Sequence, residues 1–218
     1  MIVTIDGPAG AGKSTTARKV AERLSFQFLD TGAMYRAVTW LCLDRGIDLQ
    51  NQELVAAAAQ SATFEFQGGQ VFVNGRDVTS EIRMSTVTNE SRHIAANNAV
   101  RAFLIELQRQ LAGTANVVTE GRDQGTIAFP QAECKFFLTA SPQQRAIRRQ
   151  KDLARNGEHV ALEEILNQQT GRDQRDETRE FGALKPAPDA ILIDTSDREF
   201  EQVVTEIEGI VRSRMLGK

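Results

Sequence analysis

The amino-acid sequence predicts an α/β fold in which a central parallel sheet is flanked by helices. Short apolar runs alternate with stretches of helical periodicity along most of the chain. The first run passes through a glycine-rich turn straight into a helix, and one stretch, Thr63 to Thr79, changes to the period of two of an antiparallel sheet. At 218 residues the chain suits one sizeable core with an inserted lobe rather than two ordinary domains.

Taken in order, Ile2 to Asp6 reads as a buried parallel strand, and Lys13 to Leu24 carries apolar residues at helical spacing. Phe26 to Asp30 is a second short strand. Gly32 to Gly46 is an amphipathic helix with Gly46 as its C-cap, and Asn51 to Gln60 is another short helix. Between Thr63 and Thr79 the pairs Gly68-Gly69 and Asn74-Gly75 are hairpin-turn signals, so this stretch reads as a small antiparallel three-stranded insert. Helical patterning resumes from Ser85 to Ala112, with a break near Asn97 and Asn98. Ala115 to Asp123 is a buried strand ending in charge, and Cys134 to Ser141 is the next strand. A helix then starts at Pro142 behind an N-cap serine, Ser141, and stops at Asn156-Gly157. A polar helix from Ala161 to Glu180, a last strand within Pro186 to Ser196 and an amphipathic helix from Arg198 to Met215 complete the chain. Such alternation predicts right-handed crossovers.

The turn after the first strand, Gly7-Pro8-Ala9-Gly10-Ala11-Gly12-Lys13-Ser14, fits the P-loop pattern GxxxxGK[ST]. Glycines there let backbone N–H groups converge on phosphate oxygens, and the helix N-terminus adds positive potential. Lys13 is placed to bridge the β- and γ-phosphates, and Ser14 to ligate Mg²⁺. A turn that merely connected strand to helix would explain neither the lysine nor the hydroxyl. The implied ligand is a nucleoside triphosphate, held by Gly7 to Thr15. Lys13 is expected to stand exposed on the loop, outside the core.

The patterns of a GTPase switch, DxxG and NKxD, do not occur, nor does the LSGGQ of transport ATPases. A kinase acting on a small acceptor fits better, and such an enzyme needs cations for the acceptor's own charges. Arg145, Arg148 and Arg149 share one helix face. Arg172, Arg175 and Arg179 form a second stripe, interleaved with Asp173 and Asp176. Taken alone, such stripes also suit solvated faces with internal ion pairs. No general base stands out, because His93 and His159 occupy unremarkable helix and loop positions. A monophosphate acceptor needs none, since its attacking oxygen is already anionic.

Composition excludes other classes. With 41% apolar and 25% charged residues the chain is neither disordered nor membrane-spanning, and a net charge of −3 argues against general nucleic-acid affinity. No signal-peptide pattern opens the chain, so it is expected to be cytoplasmic and without a membrane partner. It is also expected to be a monomer. Cys42 and Cys134 read as buried, reduced thiols.

The loop, Leu29-Asp30-Thr31-Gly32-Ala33-Met34-Tyr35-Arg36-Ala37, Glu120-Gly121-Arg122-Asp123-Gln124-Gly125-Thr126 and the Gly171 to Arg179 segment together resemble bacterial cytidylate kinases, the (d)CMP kinases of the nucleoside monophosphate kinase group. The resemblance runs from about Ile2 to the C-terminal helix. It implies a single P-loop kinase domain over 1–218. Within it lie an acceptor-binding insertion at about 31–113, with its small antiparallel sheet at 63–79, and a helical lid at about 141–160. It also implies transfer of the γ-phosphate of ATP to CMP or dCMP with Mg²⁺ in attendance. By position, Thr31 and Arg36 look like acceptor-site residues, and Arg36 and Arg122 would meet the acceptor phosphate. Asp123 and Arg101 resemble the cytosine readers: a carboxylate accepts from the 4-amino group while a guanidinium donates to ring acceptors. Arg172, Asp176 and Arg179 resemble the residues that hold the sugar and close over the phosphates, while Arg145, Arg148 and Arg149 resemble the lid. With Lys13, Arg122 and Arg179, the lid arginines make up the candidate catalytic set. A base-reading serine of relatives aligns with Arg92, beside Ser91. Glu120 is a candidate to order a metal-bound water, or else an ordinary surface carboxylate. The competing readings are a UMP or AMP kinase and an ATP-binding regulator without transferase activity.

Overall fold

The structure, a computed structural model, describes residues 1–155 and 157–217. In chain order the elements are β1 (Ile2–Asp6), α1 (Lys13–Leu24), β2 (Gln27–Asp30), α2 (Thr31–Asp44), α3 (Gln52–Ser61), β3 (Phe64–Gln67), β4 (Gln70–Val73), β5 (Arg76–Asp77), α4 (Ser85–Ala96), α5 (Asn98–Ala112), β6 (Val117–Gly121), β7 (Cys134–Thr139), α6 (Pro142–Arg155), α7 (Leu162–Glu177), β8 (Ile191–Asp194) and α8 (Phe200–Leu216). They divide into two compact units, Met1–Leu29 with Ala112–Lys218, and Asp30–Leu111.

The first unit is built on a five-stranded sheet ordered β2-β6-β1-β7-β8, as the alternation of strands and helices predicts. β1 runs parallel to β6 and β7, and β7 parallel to β8, with Val3 level with Val118 and Cys134 and Phe136 level with Ile191. Its strands are apolar where they are covered. Val3, Ile5, Val118, Phe136, Leu138 and Ile193 join one buried cluster with Ala17, Val20, Ala21 and Leu24 of α1 and with Val203, Val204, Ile207 and Val211 of α8. The α1 residues follow the i, i+3, i+4, i+7 spacing of a helix stripe pressed on a sheet. The consequence for function is positional: β1 is central and its C-terminal end opens directly into the glycine loop. Such strand ends are where open α/β sheets bind ligands.

The second unit keeps the local signals almost unchanged. Asp30 caps α2 by accepting from the Ala33 N–H at 2.8 Å, and Asn51 caps α3 through Leu54 at 3.1 Å. β3, β4 and β5 form an antiparallel sheet whose turns fall at Gly68-Gly69, with φ of 60° and 85°, and at Asn74-Gly75, with φ of 50° and 77°. Two-residue hairpin loops of this kind need positive φ at both positions, which the sequence supplies. The helical stretch from Ser85 breaks at Asn97. The Asn97 side chain accepts from the N–H groups of Ala99 and Val100 and donates to the Gln52 carbonyl at 2.8 Å, thereby capping α5 and tying it to α3.

Several features differ from expectation. α2 stops at Asp44, so Gly46, with φ of 64°, lies just past the cap residue Arg45. α7 ends at Glu177 rather than Glu180, which takes Arg179 off the helix and off the stripe it was expected to share with Arg172 and Arg175. A π-helical turn, Gln124–Ala128, follows β6 where no regular element was expected. The Asn156 end of α6 lies outside the described residues, and Gly157 follows with φ of 81°. Both cysteines are buried free thiols. Among the described residues no helix is long and apolar enough to cross a membrane.

Candidate active site

The glycine loop is held by its carbonyls. Lys13 Nζ donates to the Pro8 carbonyl at 2.8 Å, Arg145 Nη1 to that of Ala9 at 2.9 Å, and Thr195 Oγ1 to that of Ala11 at 3.2 Å. Beside these held carbonyls, the first N–H groups of α1 are the donors that every helix leaves without an intrahelical partner at its start, the kind of group that binds phosphate oxygens. Two glycines are obligatory for packing. A Cβ on Gly7 would sit 1.9 Å from the Leu138 carbonyl oxygen, and one on Gly10, at φ of 79°, would meet Arg145 Cβ at 3.0 Å.

Lys13 is buried, only 5% exposed, which corrects the expectation of an exposed loop lysine. Loss of hydration, followed by the nearby Arg122 guanidinium, pulls its ammonium well below the usual lysine range, and Glu120 acts in the other direction. Glu120 is itself 5% exposed, so it is not a surface carboxylate. Ser14 is exposed at the first turn of α1 and Thr15 Oγ1 donates back to the Gly12 carbonyl at 3.0 Å. Among the described residues no group of three His, Cys, Asp or Glu could enclose a metal ion. A cation here would therefore take Ser14 together with ligand oxygens and water, a donor set that suits Mg²⁺.

Three arginines converge on one carboxylate in the same unit. Asp176 Oδ2 accepts from Arg122 Nε at 2.9 Å, its Oδ1 accepts from Arg179 Nη2 at 2.5 Å, and Arg172 Nε lies 4.0 Å away. Burial pushes the Asp176 carboxyl up, but Arg122, Arg179 and Arg172 together hold it below the usual carboxylate range. Burial and then Arg122 lower Arg172 to about 10, so it remains a cation at neutral pH. Three guanidiniums against one carboxylate leave a positive surplus, which is what a second anionic ligand requires. Arg175 is exposed and stands outside this cluster.

The α6 trio separates. Arg145 is 5% exposed; besides Ala9 it donates to the Ala140 carbonyl at 3.1 Å and pairs with Asp173 at 2.6 Å. Arg148 donates to both the hydroxyl and the carbonyl of Thr195. Only Arg149 keeps an exposed side chain, close enough to Arg172 to depress it. Arg145→Met is accordingly expected to lower Tm by roughly 6 °C or more, since an uncompensated buried Asp173 costs about 3–5 kcal/mol. Arg149→Met should leave Tm within about 1 °C, as surface changes do, and reduce turnover. Thermal melts and steady-state rates on the two variants check this split.

Asp123, 5% exposed, immediately precedes the π turn, and its carbonyl accepts from the Ile127 N–H at 2.8 Å. The remaining candidates belong to the second unit. Thr31 is the buried first residue of α2. Arg36, one turn on, lies 3.7 Å from Asp30 Oδ1 and close over Gly32, where a Cβ would meet its Nη1 at 2.9 Å. Arg101, 2% exposed, donates to the Ala95 carbonyl at 3.4 Å and sits 5.7 Å from the centre of the Tyr35 ring. Arg92 points to solvent and pairs with Glu90 at 3.3 Å, while Ser91 Oγ donates to the Thr88 carbonyl. Sequence reasoning passed over Thr195, Asp173 as the Arg145 partner, and Asp6. Only Asp6 leaves a trace in the sequence, as a charge ending an otherwise buried strand.

The cytidylate kinase family model matches residues 3–213. A cytidylate kinase of Rhodopirellula baltica is 47% identical over 212 residues, covering 97% of this chain and 93% of that one. One from Clostridioides difficile is 41% identical over 207 residues, covering 95% and 96%. Among solved structures, an uncharacterised protein from Eubacterium ventriosum superposes with a TM-score of 0.51 at 14% identity, covering 98% of both chains, a likeness of fold alone.

Proposed function

The chain belongs to the cytidylate kinase family, and from that premise we propose that it transfers the γ-phosphate of ATP to CMP or dCMP, leaving ADP and CDP or dCDP. The observation that carries this reading is the Asp176-centred arginine cluster in the unit that holds the phosphate loop. A nucleotide switch needs one phosphate site, whereas a transferase needs cations for an anionic acceptor as well.

On this reading Gly7 to Thr15 hold the triphosphate, and Lys13 neutralises the charge that develops between its β- and γ-phosphates. Ser14, with phosphate oxygens and water, would hold Mg²⁺, which when bound supplies further charge neutralisation. Arg122 and Arg179, oriented by Asp176, meet the acceptor phosphate together with Arg36, while Asp176 and Arg172 hold the sugar. Asp123 and Arg101 read the cytosine, and Thr31 lines the acceptor site. Arg149 is the α6 arginine whose head is available to the transferring phosphate. Arg145 and Arg148 serve it by holding the loop and Thr195. No side chain needs to remove a proton, because the acceptor oxygen is already anionic. We further assign the enzyme to pyrimidine nucleotide metabolism as a cytoplasmic monomer.

The test is ADP release measured across nucleoside monophosphates. CMP and dCMP are expected to exceed UMP in kcat/KM by at least about tenfold, because uracil would set a carbonyl against the Asp123 carboxylate at a cost of roughly 1–3 kcal/mol. Asp123→Ala should shrink that ratio mainly by harming CMP. Equal use of CMP and UMP would remove the base assignment, and ADP release independent of any monophosphate would remove the transferase reading.

A further inference from the structure

Asp6 ends β1 immediately before the phosphate loop and is 4% exposed, yet none of the phosphate chemistry above uses it. Both its oxygens are engaged with the next strand's turn: Oδ1 accepts from the Gln124 N–H at 2.9 Å and Oδ2 from the Gly125 N–H at 2.8 Å. These are the first two donors of the π turn Gln124–Ala128, which directly follows Arg122 and Asp123. A helical turn leaves such donors orphaned, and a carboxylate satisfies both with charge-assisted bonds.

The turn has little freedom elsewhere. The Asp123 carbonyl takes the N–H groups of Ile127 and Ala128, and Gln124 Oε1 accepts from the Thr119 hydroxyl at 2.9 Å. A Cβ on Gly125 would come to 2.9 Å from Thr4 Oγ1 and 3.4 Å from Asp6 Oδ2, so the turn lies flat against β1. Maintaining an acid there is costly. Burial, reinforced by Asp123, raises the Asp6 carboxyl to about 7 against the pull of the two N–H bonds and Lys13.

We propose that Asp6 is a positioning residue for acceptor recognition, bracing the turn that directly follows Arg122 and Asp123 onto the strand that carries the phosphate loop. Its carboxylate fixes where the base-reading and phosphate-holding groups stand relative to the donor loop. The proposal rests on the acceptor roles given above to Arg122 and Asp123.

Asp6→Asn tests it, because an amide offers one acceptor and sets its NH₂ against the second N–H. Backbone hydrogen exchange across residues 121–129 is expected to quicken at least about tenfold, a readout that needs no substrate. The CMP to UMP ratio in kcat/KM should fall at least about fivefold, chiefly through KM for CMP, with KM for ATP within about twofold. Gly125→Ala, which presses on the same turn and leaves Asp6 intact, should reproduce the lost ratio, and it decides the matter if Asp6→Asn does not fold. Unchanged exchange in Asp6→Asn would overturn the proposal. So would equal losses for CMP, UMP and ATP, which would mark Asp6 as support for the phosphate loop only. Should the unmutated protein not discriminate CMP from UMP, the base reading fails by itself, and exchange with KM for CMP still decides the brace.

Discussion

Lys13→Met is expected to lower kcat by a factor of about 10²–10³ or more without unfolding the protein, since on the proposed function it removes a charge placed where negative charge would develop in the transition state. The physical basis is its burial. At 5% exposure, lost hydration and Arg122 hold the ammonium below its usual range, and a bound polyphosphate is expected to raise it again. Methionine keeps the apolar stem and removes the group that is costly to bury. The folded-state pKa of Lys13 lies below the unfolded one, so between the two values the unfolded chain binds more protons. Stability from this group therefore rises with pH across that window and is least at its acid end. Lys13→Met should flatten that slope, and Tm at neutral pH should not drop. In the unmutated protein, ATP binding should take up protons, visible as a dependence of calorimetric binding heat on the buffer's ionisation enthalpy. A loss in kcat of less than about tenfold would remove Lys13 from the catalytic set.

Arg122→Met is expected to cost a factor of about 10²–10³ in kcat/KM for CMP, as the charge-assisted contact to the acceptor phosphate proposed above and a partner of Asp176 would vanish together. KM for ATP should change little. Arg122 is the strongest of the cations holding the Asp176 carboxyl down; without it the balance moves toward burial, which pushes the carboxyl up. A carboxylate whose folded pKa is depressed contributes stability above its unfolded pKa and loses it as pH falls through the folded one. The variant should therefore begin to unfold at higher pH than the parent in an acid titration. Arg122→Lys restores the charge without the guanidinium fork, so it should recover the acid stability more completely than the catalysis. Unchanged CMP kinetics in Arg122→Met would move the acceptor phosphate elsewhere.

Much of this protein was legible from neighbours in sequence. Glycines at 7, 10 and 12 with Lys13 and Ser14 specify a phosphate loop, Gly68-Gly69 and Asn74-Gly75 specify two hairpin turns, Asn97 marks a helix break and Ser141 a helix start. Each depends on backbone dihedrals or on a bond to a residue two to four positions away, so the local sequence contains the whole cause. What the arginines do was decided only by the tertiary structure. Helical spacing put Arg145, Arg148 and Arg149 on one face, but spacing cannot say that Arg145 meets a carbonyl 136 residues away, or that Arg148 meets one 47 residues away, leaving Arg149 in solvent. Nor could it say that Asp176 gathers Arg122 from 54 residues away, or that Lys13, Glu120 and Asp6 are buried. A guanidinium or carboxylate takes its energy from whatever charge or dipole stands within a few ångströms after burial, and that distance is set by how the strands and helices pack. Local sequence therefore determined the scaffold and the triphosphate loop, while packing determined which charges are spent holding the fold and which remain for the substrate.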